Sequence, residues 1–188
     1  MGIGILSWIA YAIWAVSEVM IVMRSSRQRQ SLDTTRSDKG SVRVIAITIV
    51  MAIAVSFLFH FLKWGWVDPI VAEIGAGVML LGVGLRVWSF MTLGRNFAPV
   101  VETDAAQTLV KSGPYRLIRH PAYTAAIITL TFLGLAFNSW IASVVILFFV
   151  VACYVYRIRV EEPALRERFG AEYDDYEKAT KRLIPFIW

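Results

Sequence analysis

A chain of 188 residues with 57% hydrophobic content and a mean hydropathy of +0.60 carries more apolar side chain than one water-soluble domain can hide. Its net charge of +5 is read as membrane topology and headgroup contact, which sets nucleic acid aside as a partner. The single cysteine, Cys153, excludes an internal disulfide, and with only His60 and His120 beside it a His/Cys metal centre has no ligand set.

In chain order, residues 3–23 are apolar apart from Ser7, Ser17 and Glu18, long enough for one crossing. No basic residue precedes this run, the wrong order for a cleaved secretory signal. The next twenty positions carry Arg24, Arg27, Arg29, Arg36, Lys39 and Arg43 against Asp33 and Asp38, which assigns this loop to the cytoplasm. Within it Ser25–Gly40 is expected to be the least structured part of the chain.

A second span, 44–62, ends in a connector holding Lys63, Asp68 and Pro69, with Trp64 and Trp66 as interfacial anchors. His60, between Phe59 and Phe61, reads as a packed histidine and not a ligand. The third span, 70–91, contains Gly75 and Gly82, and Gly77 and Gly84, each pair two helical turns apart. Small residues let helix backbones approach closely, so this span is expected at the centre of the bundle. Arg86 near its inner end is expected to snorkel toward headgroups in preference to lining a polar cavity.

An internal loop from Thr92 to His120 bears Arg95, Lys111, Arg116 and Arg119. Two short apolar runs, 122–137 and 140–156, are separated by Asn138 and Ser139 and form an antiparallel hairpin. The expected fold is therefore all-α: one membrane domain of five spans, N-terminus outside, C-terminus cytoplasmic, with internal segments 92–121 and 157–188. After Tyr156, charged residues alternate with Leu165, Phe169, Tyr173 and Tyr176 at helical spacing; Gly170 ends one helix and Pro185 follows the last. The alternative for this tail is an amphipathic segment lying on the membrane.

The stretch Gly113–Tyr123 is the polar, proline-punctuated interruption of these runs. Pro114 and Pro121 each remove a backbone donor and bias the preceding residue away from helix, which predicts a shaped turn. Tyr115 and Tyr123 offer aromatic faces to a flat ring or a cation, while Arg116 and Arg119 suit a carboxylate or phosphate. A proline-bent helix start with topology-setting arginines explains the same residues equally well. Further on, Arg157 and Glu161 stand four apart on one helical face, with Glu162 slightly round the cylinder. On a surface such a pair contributes a few tenths of a kcal/mol; here it falls where the last span leaves the membrane, on the side of the proline turn.

The ordered pattern Leu109-Val110-Lys111-Ser112-Gly113-Pro114-Tyr115-Arg116, Arg119-His120-Pro121-Ala122-Tyr123, a hydrophobic hairpin, Arg157 with Glu161-Glu162, and Phe169-Gly170-Ala171-Glu172-Tyr173 resembles the isoprenylcysteine carboxyl methyltransferase family. The likeness covers roughly residues 90–188, and Thr124-Ala125 departs from the glycine that many relatives carry soon after the tyrosine. The resemblance implies an enzyme with S-adenosylmethionine as donor, S-adenosylhomocysteine as product, and a lipophilic or prenylated acceptor entering from the bilayer; the membrane itself is expected to be a prokaryotic plasma membrane. It implies that Tyr115, His120, Pro121 and Tyr123 shape the cofactor pocket, that Leu109 and Val110 meet the adenine, and that Arg119 secures the cofactor's carboxylate or holds the turn. Arg157 would orient an acceptor carboxylate, Glu161 would hold Arg157 or the cofactor's amine, and Glu162 is the further candidate for that contact. A carboxylate acceptor is ionised near neutral pH and needs no base; a thiol or amine would call on Glu161 or His120.

Three rivals stand beside this reading. A thiol or a lipid amine such as phosphatidylethanolamine could be the acceptor. A sterol-type reductase using NADPH has a similar turn, although the chain holds no Gly-x-Gly-x-x-Gly run. A channel or scaffold would need a polar stripe through the spans, where only Arg86 stands out.

Overall fold

Backbone polar groups have no water to bond in a bilayer, so each long apolar run is obliged to close its hydrogen bonds within a helix. The computed structural model describes residues 2–29, 41–94 and 108–187. Those residues form α1 (Ile5–Arg29), α2 (Ser41–Leu62), α3 (Pro69–Leu93), a 3₁₀ turn (Gly113–Arg116), α4 (Pro121–Ala136), α5 (Trp140–Phe169) and α6 (Ala171–Ala179). Arg36, Lys39, Asp33 and Asp38 of the first basic loop, and Arg95 of the second, lie outside the described residues.

Four helices, α1, α2, α3 and α5, are long and apolar enough to cross a membrane. With 16 residues, α4 is about 24 Å long, short of a hydrocarbon core of about 30 Å. The last long helix, α5, runs unbroken for 30 residues from the apolar run that ends at Tyr156 through Pro163 to Phe169, and Gly170 ends it as the sequence predicts. Pro163 is exposed, so the interruption it introduces, the loss of one bond to the Arg159 carbonyl, faces outward.

The centre of the bundle is α4, and not α3 as the glycine spacing suggested. It lies between α3 and α5 and also touches α2; nine of its 16 residues are buried, against seven of 25 in α3. The physical reason is its own run of small residues, Ala122, Ala125, Ala126, Gly134 and Ala136, which admits neighbours on several sides. Half of the α3 glycine pattern serves this contact. A Cβ on Gly75 would sit 3.0 Å from Leu135 Cβ and one on Gly82 3.0 Å from Thr129 N, whereas Gly77 and Gly84 face open space.

At one end of the bundle the 63–68 connector and the α4–α5 turn are laced together. Val67 N donates to the Asn138 carbonyl (3.1 Å), Trp140 N to the Gly65 carbonyl (3.0 Å) and Ser139 Oγ to the Trp64 carbonyl (2.6 Å). Ser139 Oγ also accepts from Ala142 N, capping α5. His60 Nδ1 lies 3.0 Å from the Phe137 carbonyl, a packing role in keeping with its place among aromatics. Trp8, Tyr11, Phe57 and Phe137 close this end, with Phe57 and Phe137 edge to face at 4.8 Å.

At the opposite end the tail folds back on the proline turn. Arg119 N donates to the Lys181 carbonyl (2.7 Å), His120 N to the Arg182 carbonyl (3.0 Å) and Tyr176 Oη to the Tyr115 carbonyl (2.6 Å). Tyr173 and Tyr176 are buried, so the apolar side of α6 packs on the protein and does not lie on a membrane surface.

Candidate functional site

Two prolines build the near wall of the site. Pro114 opens the 3₁₀ turn and Pro121 opens α4, each at a position where its missing N–H costs no helical bond. The segment between them is thereby held as a turn that presents Tyr115 on one side and the His120–Tyr123 pair on the other. Its far wall is the second half of α5, where Arg157 and Glu161 occupy one face.

Between these walls lies a cavity of about 310 Å³, at the small end of the range for ligand sites. Leu109, Val110, Tyr115, Arg119, His120, Tyr123, Arg157 and Glu161 all line it. Two other candidates do not: Pro121 stands in the wall at the start of α4, and Glu162 is buried behind it. Arg116 is exposed and also lies outside the lining.

The polar heart of the cavity is a three-way contact. Tyr123 Oη donates to Glu161 Oε2 and accepts from Arg157 Nε at 3.2 Å, while Arg157 Nε stands 3.6 Å from Glu161 Oε2. Tyr123 is sandwiched, stacking on His120 (centroids 5.1 Å apart, 4° between planes) and on Tyr154 (4.8 Å). The ring stack fixes where the phenol oxygen points, and the phenol in turn ties α4 to α5.

Arg119 and Glu162 do a different job. The Arg119 guanidinium donates to Glu162 Oε1 (3.2 Å), to the Glu177 carbonyl (3.0 Å) and to the Thr180 carbonyl (2.5 Å). Glu162 accepts from Arg182 at 2.7 Å and lies 3.5 Å from His120 Nε2. With so many bonds inside the chain, Arg119 is the peg on which the tail hangs. Burial raises the Tyr115 phenol well above its usual range, and the charge of Glu161 adds to the effect; burial does the same to Tyr173 and Tyr176. These phenols stay protonated at neutral pH and can donate but not act as bases.

One feature went unread in the sequence. Arg86 does not snorkel: it lines the cavity, held by both oxygens of Glu18 on α1, with Nη2 2.9 Å from Oε2 and Nη1 donating to the Ala122 carbonyl at 3.2 Å. A carboxylate and a backbone carbonyl offset the desolvation of a guanidinium in an apolar span, which is why it can stay inside. The available signal was a pair of opposite charges in two apolar runs: Glu18, the one charge of the first, and Arg86, the one basic residue of the third.

A family model described as isoprenylcysteine carboxyl methyltransferase (ICMT) matches residues 74–167, half of the chain, from α3 to the end of α5. The chain belongs to that family. The protein-S-isoprenylcysteine O-methyltransferase of Saccharomyces cerevisiae is 31% identical over 79% of this chain and 64% of its own length. A cobalt-zinc-cadmium resistance protein, CzcN, of Cupriavidus metallidurans is 33% identical over 80% of this chain and 65% of its own. The solved structure of a eukaryotic intramembrane Ras methyltransferase, ICMT, superposes with a TM-score of 0.63 at 25% identity, covering 76% of this chain and 52% of that one. The chain thus spans between half and two thirds of the length of these three relatives. Within the matched range fall Arg86, Tyr123, Arg157 and Glu161; Glu18 and all of α6 lie outside it.

Proposed function

We propose that this chain is a membrane methyltransferase that esterifies the carboxylate of an isoprenylcysteine or a similar lipophilic acid, with S-adenosylmethionine as methyl donor. The observation that carries this reading is the joining of Tyr123, Arg157 and Glu161 in one cavity whose other wall is the proline turn. Membership of the family supports the reaction class.

The cavity's chemistry fits the donor. Tyr115, Tyr123, Tyr173 and Tyr176 surround it with aromatic faces suited to an adenine or a sulfonium, and Leu109 and Val110 add an apolar edge. The buried Tyr173 hydroxyl has no hydrogen-bond partner among the described residues, a donor held ready for a ligand. S-adenosylmethionine, when bound there, supplies a methyl group on a good leaving group, so no metal or covalent nucleophile is required. The chain's own task is to align and to exclude water.

Arg157 orients the acceptor carboxylate, with Tyr123 and Glu161 fixing its guanidinium; a carboxylate is ionised at neutral pH and needs no base. Arg86, held by Glu18, offers a second cation on the side of α1. Ile21 and Val22 of α1 and Ile45 and Ile49 of α2 form the apolar side of the cavity, which suits a lipid chain arriving from the bilayer. His120 stacks on Tyr123 and shapes the donor side, while Arg119 and Glu162 hold the tail that closes it. In this reading the chain is one membrane domain, α4 is a fifth, short span, the termini lie outside and in the cytoplasm, and the membrane is a prokaryotic plasma membrane.

A second acceptor class is favoured by one observation: all three guanidiniums that line the cavity already hold a carboxylate of the chain, Arg86 with Glu18, Arg119 with Glu162 and Arg157 with Glu161. A neutral thiol or lipid amine would need no free cation, and Glu161 would then receive its proton. Calorimetry with S-adenosylhomocysteine and NADPH on detergent-purified protein tests the class. The expected result is binding of the former alone; binding of NADPH alone would move the chain to the reductases, and binding of neither to a scaffold role. Tracing a labelled methyl group into a lipid extract, with base-labile release as the sign of an ester, then separates carboxylate from thiol or amine.

A further inference from the structure

On the side of α5 turned away from the cavity, a second cleft of about 350 Å³ is lined by Val155, Ile158, Arg159, Glu162, Pro163, Arg166 and Arg182. We propose that this cleft is a headgroup site for an anionic phospholipid, with Arg159 as its principal phosphate ligand. The proposal does not rest on the methyltransferase reading.

Depth is the first argument. Trp140, half exposed at the start of α5, is the kind of residue that marks one membrane interface. Arg159 lies nineteen positions further on, about 28 Å along the helix, close to the roughly 30 Å of a hydrocarbon core. Arg159 therefore falls at the level of the opposite headgroups.

The face is the second argument. Phe148, Ala152, Val155, Arg159, Pro163 and Arg166 follow one another at steps of three and four, so they share one stripe of α5. Its upper part is apolar, with Phe148 70% exposed, and from Phe148 to Arg159 it runs about 16 Å, half a bilayer's apolar thickness. An acyl chain can lie along the apolar part while its phosphodiester meets the basic part.

Charge is the third. The cleft holds three guanidiniums and one carboxylate, and that carboxylate is buried and already paired with Arg119 and Arg182. Arg166 is engaged by Asp174 and Glu177, and Arg182 by Glu162. Arg159 is exposed and has no ion-pair partner among the described residues, so its planar fork is available for a phosphate. Basic clefts at this depth suit anionic headgroups.

The test uses the full chain, delipidated in detergent. Native mass spectrometry counts bound phosphatidylglycerol against phosphatidylcholine of the same acyl chains, and thermal unfolding is followed with each lipid and with inorganic phosphate. The expected result is one phosphatidylglycerol retained about tenfold better than phosphatidylcholine, a preference of about 1.4 kcal/mol. Arg159→Ala and Arg159→Gln should both erase the preference, Arg159→Lys should keep part of it, and all three should unfold like the parent without lipid. Equal retention of the two lipids by the parent, or an unchanged preference in both neutral variants, would overturn the proposal. Stabilisation by inorganic phosphate as large as that by phosphatidylglycerol, lost in Arg159→Ala, would make this a free-anion site and overturn the lipid reading.

Discussion

The two ends of the bundle are built from opposite materials. Where α2 meets α3 and α4 meets α5, the joints are backbone carbonyls, a serine hydroxyl and uncharged rings, drawn tight by Gly65, Asn138 and Ser139. At the other end the joints are guanidiniums and carboxylates, Arg119–Glu162–Arg182, Arg157–Glu161 and Arg86–Glu18, arranged round a cavity. The neutral end loses little by being dry, because its turns pair backbone groups with one another and with the Ser139 hydroxyl. The charged end would be costly anywhere that its partners were not fixed. A clamp at one end thus leaves the other free to be polar, and substitutions at the two ends should separate stability from chemistry.

The largest effect belongs to Arg119→Ala. It leaves Glu162 buried with fewer partners and unhooks two carbonyls of the tail, so stability should fall by about 3–5 kcal/mol, read as a lower unfolding temperature in detergent together with lost S-adenosylhomocysteine binding. Normal binding in that variant would mean that the tail is not held by this peg. Next comes Arg157→Ala: turnover of the accepted substrate should drop on the order of 10²-fold through misplacement of the acceptor, while S-adenosylhomocysteine still binds. Loss of both would show that Arg157 is structural, like Arg119.

At the neutral end, Gly134→Ala is the corresponding break. A Cβ there would meet Ser143 N at 2.5 Å and the Ala142 carbonyl carbon at 2.9 Å, backbone atoms that cannot step aside. Overpacking of this kind should cost about 1–3 kcal/mol, with turnover per folded molecule unchanged below the unfolding temperature. The charged end has its own signature in alkali. Burial raises Tyr115, Tyr173 and Tyr176, so the folded state holds their protons more tightly than the unfolded chain. The stability this contributes is complete below the unfolded phenol value of about 10 and is lost as pH rises past it. Unfolding temperature should accordingly fall above about pH 10, less steeply in Tyr173→Phe.

How far the sequence foretold this division can be read from single residues. Asn138 and Ser139 between two apolar runs announced the hairpin because turn chemistry is local. The Gly113–Tyr123 run and the Arg157–Glu161 spacing announced two walls of a cavity because prolines and four-residue spacing act within a few positions. Glu18 and Arg86 did not announce each other: they lie 68 positions apart, and only the packing of α1 on α3 makes them one group. Arg119 and Glu162 were legible as charged residues but not as pegs, since the carbonyls that Arg119 meets and the Arg182 guanidinium that Glu162 meets belong to a tail that folds back from positions 177–182. The central place of α4 was hidden for the same reason. Small residues occur in both α3 and α4, and only the tertiary contacts show which set is used on more than one side.

The finest separation of the two ends comes from a matched pair of hydroxyls. Ser139 Oγ caps α5 and bonds the Trp64 carbonyl; Thr124 Oγ1 donates to the Leu183 carbonyl at 2.7 Å, tying α4 to the tail. Ser139→Ala should cost about 1 kcal/mol, and Thr124→Val, which keeps the shape and leaves one acceptor unpaired, a similar amount. Their consequences should differ. The serine change acts on a joint far from the cavity, so it should lower the unfolding temperature and leave turnover and S-adenosylhomocysteine affinity alone. The threonine change loosens the segment whose neighbours, Lys181 and Arg182, accept from Arg119 N and His120 N, so it should weaken S-adenosylhomocysteine binding by a few-fold at the same loss of stability. Equal affinities in the two variants would show that the tail is a passive cover; unequal ones would show that its backbone pairing sets the donor side of the cavity.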